Sequence, residues 1–443
     1  AQDISWYTPG LYATGSRGDA NPLYTIRGIG LNDAFSNNNP TVGVYLNEVN
    51  QPFTPMMAFQ LFDLERVEVL KGPQGTLYGR NTTGGAVNVF SKRPGEENNG
   101  YARGGYGNYD RFEFEGAIGG PFSDSAGGRV AVYTVQRNKG WLHNAFNGQD
   151  IGELDQTAIR GTLEFRPNEN TEILLIGSYS RDKSDSAGRE HVGFADGAFS
   201  PNLCQAAIEG RRDETQCVSF LGYFDPYESR YTIENSSFYG QDTDAESFGV
   251  SLAINRDFGD MTLTSITGYS DYDRLYNEDA DGTPLIMIDT QATDTIKVFS
   301  QELRLASTTE GGLNWVVGAY FTDDEMFFDF QQALDEHIFV TRVSQNFTQG
   351  SQAWAVFGFA EQPLSDQFSL IGGLRYTDEK KDFDYKSFDH APFGPSVLAS
   401  FGVIPVPQYT DSISNDDWTG EIGIEYHASD DILLYANVSK GFK

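Results

Sequence analysis

The chain has 443 residues, with 63 acidic against 31 basic side chains and a formal charge of −32. That balance argues against nucleic acid as a partner, because binding it needs clustered Lys and Arg. Aromatic residues make up 14% of the chain, which argues against disorder. No apolar run is long enough for a transmembrane helix, although membrane barrels, whose strands alternate, give only a weak hydropathy signal.

Residues 1–99 are rich in Gly, Asn and Pro and carry short mixed segments such as TVGVYLNEV (41–49) and RVEVL (66–70). They read as a compact unit with little apolar core, joined by KRPGEENNG (92–100) to the remainder of the chain. Within it, KGPQGTLYGRNTTGG (71–85) comes after a strand-like run, the usual setting of a phosphate loop. The spacing does not fit, because Lys71 precedes the glycines and Gly79 is followed by Arg80-Asn81. Gly72, Gly75, Gly79, Gly84 and Gly85 instead suit tight turns and close backbone packing.

From about residue 100 the sequence becomes a series of segments with period two. In 157–165, Ile159, Leu163 and Phe165 alternate with Arg160, Thr162 and Glu164. The segments 111–118, 247–255 and 418–426 behave alike, each a strand with one apolar and one polar face. After the first hairpin, short links such as 121–127, 167–170, 257–260 and 363–366 alternate with long polar ones at about 139–155, 183–245, 274–296, 329–351 and 383–416. A soluble sandwich has no reason to place every long loop at one end, whereas an outer-membrane barrel has tight periplasmic turns and long outer loops. The expected fold is all-β: a transmembrane antiparallel β-barrel of about 13 strands over 100–443, with residues 1–99 as a globular plug in its lumen. An odd count would leave an open edge in lipid, so further C-terminal strands are expected.

Cys204 and Cys217, the two cysteines, fall in the longest loop and suggest one disulfide, with two unpaired thiols as the alternative. Residues 277–282 have the spacing of the first half of a calcium loop, but Ile288 stands where a bidentate Glu is needed. Asn277, Asp279 and Asp281 are therefore a weak calcium candidate, and no other cofactor is expected. The five histidines lie singly, with no catalytic motif around them, so an enzyme is not expected.

FDLERVEVLKGPQGTLYGRNTTGGAVNVFSKRP (62–94) resembles the plug signature of TonB-dependent outer-membrane receptors, and YTIRGIG (24–30) resembles an earlier element of the same plug. FSQELRLAS (299–307), GGLRYTDEKKDF (372–383) and DILLYANVSKGFK (431–443) resemble strands of that family's barrel. The resemblance implies a barrel of twenty-two strands when complete, and an upstream segment, missing here, with a box that contacts the periplasmic protein TonB. It implies active import of a scarce ligand across the bacterial outer membrane, a ferric siderophore first, with oligosaccharide, cobalamin or haem as other cargoes. A passive gated porin or an uncoupled surface receptor is the alternative. The partners implied are TonB, outer-membrane lipid and a small molecule such as a metal chelate. Arg27, beside Gly28, and Lys71 are implied as plug anchors facing acidic groups on the barrel wall. Asn32, Asp33, Phe35, Asn37 and Phe53, in loops that come after short plug strands, are the expected apical ligand contacts.

Overall fold

The computed structural model describes residues 4–443 apart from 20, 32, 34, 212–216, 228, 237, 309–311, 336–339, 391–407 and 430. Thirteen consecutive antiparallel strands, from Asn99–Gly107 to Ile432–Lys440, form one sheet in which each later strand pairs with the one before it. The strand count agrees with the sequence periodicity.

The alternation has a physical reading along Leu154–Asn168. Ile159, Leu163 and Phe165 are 45–53% exposed on the outside, while Ala158, Arg160, Thr162 and Glu164 point inward and are at most 8% exposed. The apolar face is the lipid face and the polar face lines the lumen, as a barrel wall requires. No described helix is long and apolar enough to cross a membrane.

Where the lipid zone ends is also legible in the wall. Tyr269, Phe299, Phe321, Trp354, Tyr376 and Trp418 stand on six adjacent strands, and Phe321 lies opposite Trp354 in the register. Ring centroids are 6.4 Å apart for Phe299 and Phe321, 5.5 Å for Trp354 and Tyr376, and 5.0 Å for Tyr376 and Trp418. Two residues further from the tight turns, the outward positions become Asp271, Asp323, Asp378 and Asp416. This is an aromatic girdle at the outer interface, with a polar collar above it.

The strands continue far beyond that girdle. Thr341–Pro363 has 23 residues and Phe368–Asp389 has 22, against about 9–11 needed to cross the bilayer. The segments 274–296 and 329–351, expected as long loops, are therefore mostly strand. The first link shrinks to 280–288, and in the second segment strand runs to Leu334 and resumes at Thr341. Above the girdle no face meets lipid: the outward face turns mostly polar, while inward residues such as Ile296, Met326 and Phe328 pack with the plug's Phe53 and Met56, so the lipid-facing alternation is lost.

The plug occupies residues before Asn99. Val42–Leu46, Val49–Asn50, Leu64–Lys71 and Gly85–Ser91 form a four-stranded sheet in which Val42–Leu46 runs parallel to Gly85–Ser91. Leu11–Asp19 and Pro22–Ile26 make a separate hairpin. Contrary to the expectation of little apolar core, Ile26, Val42, Val44, Met57, Val87 and Val89 pack as one fully buried cluster.

The lipid face gives a direct test. Leu163→Arg is expected to destabilise the chain in lipid vesicles by roughly 2–4 kcal/mol, read from urea unfolding followed by tryptophan fluorescence. The same change in detergent micelles, which adapt to a charge, should cost less.

Candidate functional site

The loop at 71–85 is closed by its own backbone. Gly72 N donates to Gly84 O at 3.1 Å, Gln74 N to Thr82 O at 3.0 Å, and Gly79 N to Gly75 O at 3.2 Å. With those N–H groups engaged, the loop offers no cradle to a phosphate. Gly28, Gly72, Gly79 and Gly85 have φ of 83°, 95°, 78° and 145°, conformations that disfavour any side chain. Gly75 and Gly84 serve by close approach instead, since an added Cβ would sit 3.1 Å from Gly441 Cα and from Ile29 O, respectively.

That folding puts Arg80 against the wall. Its Nη2 lies 2.5 Å from Asp324 Oδ2, its Nη1 donates to Ser351 Oγ at 2.9 Å, and Nη1 also pairs with Glu379. Beside it, Arg375 donates to Leu77 O at 3.3 Å and Thr419 Oγ1 to Gly75 O at 3.0 Å.

A second tie has the opposite polarity. Asp63, in the plug, is 1% exposed at its side chain and accepts both Nε and Nη2 of the wall residue Arg129, at 2.7 and 2.6 Å. Arg160 Nη2 donates to Phe62 O and Asp63 O at 2.7 and 2.8 Å, with its guanidinium 4.4 Å from the Phe62 ring centroid. Glu115 completes the clasp by accepting Asp63 N at 3.1 Å. Further up, Arg274 Nη1 donates to the plug's Asn21 Oδ1 at 2.6 Å while pairing with Asp294.

Arg27 and Lys71 do not make these ties among the described residues. Lys71 Nζ donates to Pro9 O at 2.8 Å, inside the plug, and Arg27 is exposed with φ of 51°. The sequence reading missed Asp63 and Arg80, although both stand in its quoted signature. No local pattern shows which charges meet a distant wall strand.

Above the plug, a cavity of about 650 Å³ opens on the side away from the tight turns. Its floor is plug (Met56 and 58–61), its wall includes Tyr133, Arg137, Tyr272 and Arg274, and its roof includes Trp141, Gly152, Ser184 and Ser186. The roof is a built lid. Leu142–Asn144 pairs antiparallel with Gln149–Ile151 and parallel with Thr232–Ile233, and Leu142, Ile151 and Ile233 form its small core. Cys204 and Cys217 are disulfide-bonded within the same outer segment, with Cα atoms 5.5 Å apart.

The expected apical contacts divide. Phe35 stays 43% exposed and sits edge-on to Phe328 and Phe330 at 6.5 and 6.3 Å. Asp33 is exposed and caps its own turn by accepting Phe35 N at 3.0 Å, and Asn37 is half-buried. Phe53 is unavailable to a ligand: it is 2% exposed, packed with Met56 against Ile296, Met326 and Phe328. Its aromatic ring serves to seat the plug. Asn32 lies outside the described residues.

At the base of the lid, Asp279 and Asp281 meet Asp289, with ligand oxygens within 4.8 Å of one another. Asn277 is turned away, donating to Asp242 Oδ1 at 3.1 Å and accepting from Gln291 at 3.0 Å. Asp279 accepts from Gly282 N and Ser236 N, and Asp289 from Phe238 N. These groups lie well above the girdle. Burial, then the charge of Asp281, pushes the Asp279 carboxyl up to about 8.

Comparison with known proteins agrees with this architecture. The family description "TonB dependent receptor-like, beta-barrel" matches residues 205–443, and "TonB-dependent Receptor Plug Domain" matches residues 1–86. The chain belongs to the TonB-dependent receptors. It is 24% identical over 439 residues to the pesticin receptor of Yersinia pestis, covering 98% of this chain and 57% of that protein. It is 30% identical over 209 residues to the ferrioxamine receptor of Yersinia enterocolitica, covering 46% of this chain and 27% of that one. The ferric yersiniabactin uptake receptor of Yersinia pestis superposes with a TM-score of 0.80 at 19% identity, over 99% of this chain and 61% of that structure. The chain thus spans 57% of the length of the pesticin receptor. The family is one of transport receptors, not enzymes, and its place is the bacterial outer membrane.

The ties predict unequal costs. Asp63→Ala leaves two buried guanidinium groups without their acid and should cost about 3–5 kcal/mol. Lys71→Ala should stay within about 0.5 kcal/mol. Trypsin access to the plug across a urea series, with the barrel held in detergent, separates the two.

Proposed function

We propose that the protein is the outer-membrane component of a TonB-driven importer whose cargo is a ferric siderophore. The observation that carries this reading is a plug tied to the wall by buried charges beneath a lidded, outward-opening cavity. The cavity accepts a drug-sized ligand, and the plug blocks its way inward. A passive pore has no use for such a seal, which favours an energised release over the gated porin. Similar proteins carry names such as ferrioxamine receptor and ferripyoverdine receptor, which supports a ferric chelate over oligosaccharide, cobalamin or haem.

The ties also set the mechanism. A buried ion pair loses most of its worth once either partner is displaced, because the remaining charge is left desolvated. A pull by TonB that removes Asp63 or Arg80 from the wall would therefore release the plug in steps, while the ladder bonds of thirteen strands keep the barrel intact. Bacteria expressing the protein under iron limitation should accumulate radioactive iron from a ferric siderophore, and an uncoupler of the proton gradient should abolish that accumulation. Uptake that survives the uncoupler would refute the importer.

We also propose that calcium, where the outer loops hold it, sits at Asp279, Asp281 and Asp289 rather than at Asn277. A divalent cation would offset the mutual repulsion of three neighbouring carboxylates. Millimolar calcium should then slow proteolysis of the lid between residues 183 and 242, and Asp289→Asn should remove the effect. Equal cleavage rates with calcium and with chelator would count against the site.

A further inference from the structure

The two ties stand in different surroundings. Around Asp63 the plug and wall are close-packed: the Phe62 ring stacks on Tyr133 at 6.0 Å and lies against Ala117, Ala131 and Ala158. Below Arg80 there is instead a second cavity, of about 380 Å³, between the plug and the inward faces of five successive wall strands. Its lining mixes rings, such as Tyr45 and Tyr320, with charges of both signs, such as Glu302 and Arg375.

An ion pair closes this chamber at each end. Arg80, with Asp324 and Glu379, shuts the upper end, level with the aromatic girdle. At the lower end, towards the tight turns, Glu48 at the tip of a plug hairpin pairs with the wall's Arg304 at 2.5 Å. Gly318 lies opposite Arg304, and Asp324 stands roughly 20 Å further up the same extended strand. Above Asp324 the next inward residue is Met326, which packs with Phe53 and Met56, and Met56 lines the outer cavity. From outside to inside, this flank therefore carries the outer cavity, adaptable methionines, the upper pair, the chamber and the lower pair.

We propose that this chamber is the transit compartment of the ferric chelate, and that the plug opens on the Arg80 flank while the Asp63 flank stays seated. This rests on the importer reading and adds the route. A loop beside an empty space can move without compressing packed atoms, whereas displacing Phe62 would open voids in a close-packed face. The chamber is smaller than the outer cavity of about 650 Å³, so residues 72–84 must withdraw before a drug-sized chelate enters it. Its mixed charges suit passage, because a transit site has to release what it admits.

The test fills the chamber after the protein has folded. The only two cysteines are bonded to each other, so an introduced thiol can be modified alone. Leu77 lines the chamber and is 37% exposed. Leu77→Cys, in cells, is capped with methyl or benzyl methanethiosulfonate, and uptake is followed with radioactive iron on a trihydroxamate, a tricatecholate and citrate. The benzyl cap should slow entry of the transported complex by about tenfold and the methyl cap by less than about twofold, with binding to uncoupled cells unchanged. A reductant, which removes the cap, should restore entry. A cross-link gives a second arm. A Cβ built on Gly373 lies 2.5 Å from Thr76 Cγ2, so Thr76→Cys with Gly373→Cys can bridge the loop to the wall, and oxidation should stop uptake. On the Asp63 flank, a Cβ on Gly127 lies 3.1 Å from Pro94 Cβ, and a bridge made by Pro94→Cys with Gly127→Cys should leave uptake intact. Uptake that survives the benzyl cap or the loop bridge overturns the chamber's role, and a block by the Pro94–Gly127 bridge overturns the seated flank. Failure of all three complexes to enter cells that make the unsubstituted protein overturns the importer reading itself.

Discussion

The carboxylate of Asp63, held by Arg129 and capped by Arg160 between plug and wall, is the interaction on which the rest of this structure depends. Charges removed from water are costly unless paired with good geometry. The wall must therefore present its arginines where the plug presents its acid, and the reverse holds at Arg80, Asp324 and Glu379. Two ties of opposite sign fix the plug's rotation as well as its height, because a rotated plug would bring like charges together. The small apolar core keeps the plug folded as a unit, and the ties keep that unit seated.

The wall answers three solvents at once. Below the girdle its outward side chains meet lipid, inside they meet the plug or water, and above the girdle the outward face is wet while part of the inward face packs on the plug. The long strands carry the sheet through that third zone and hold the lid at a distance from the membrane. The lid's own sheet and disulfide then turn the outer loops into a roof, so the cavity has a fixed shape against which a ligand can be read.

The wall and the turns were legible in the sequence because their causes are local. Alternation around Ile159 and Leu163 reports one strand facing lipid, and Gly72 and Gly79 mark turns that any side chain would strain. The strand extensions at 274–296 and 329–351 were not legible, since no lipid-facing stripe marks them and their apolar residues, such as Ile296, Phe330 and Phe347, turn inward onto the plug. Nor were the ties. Lys71 and Arg80 look equally suited to be anchors, and the loop between them sends one to Pro9 and the other to Asp324. Phe53 looked like an apical contact because its loop comes after a short plug strand, yet the ring is buried against the wall.

By itself, then, the sequence determined a lipid-facing antiparallel wall, a plug with its tight turns, and a bridged outer loop, all through interactions that span a few residues. Only the tertiary structure decided which charges meet across the lumen and that Asp289 joins Asp279 and Asp281. The pairings across the lumen join residues tens to hundreds of positions apart, and their energies come from burial that exists only once the wall has formed around the plug.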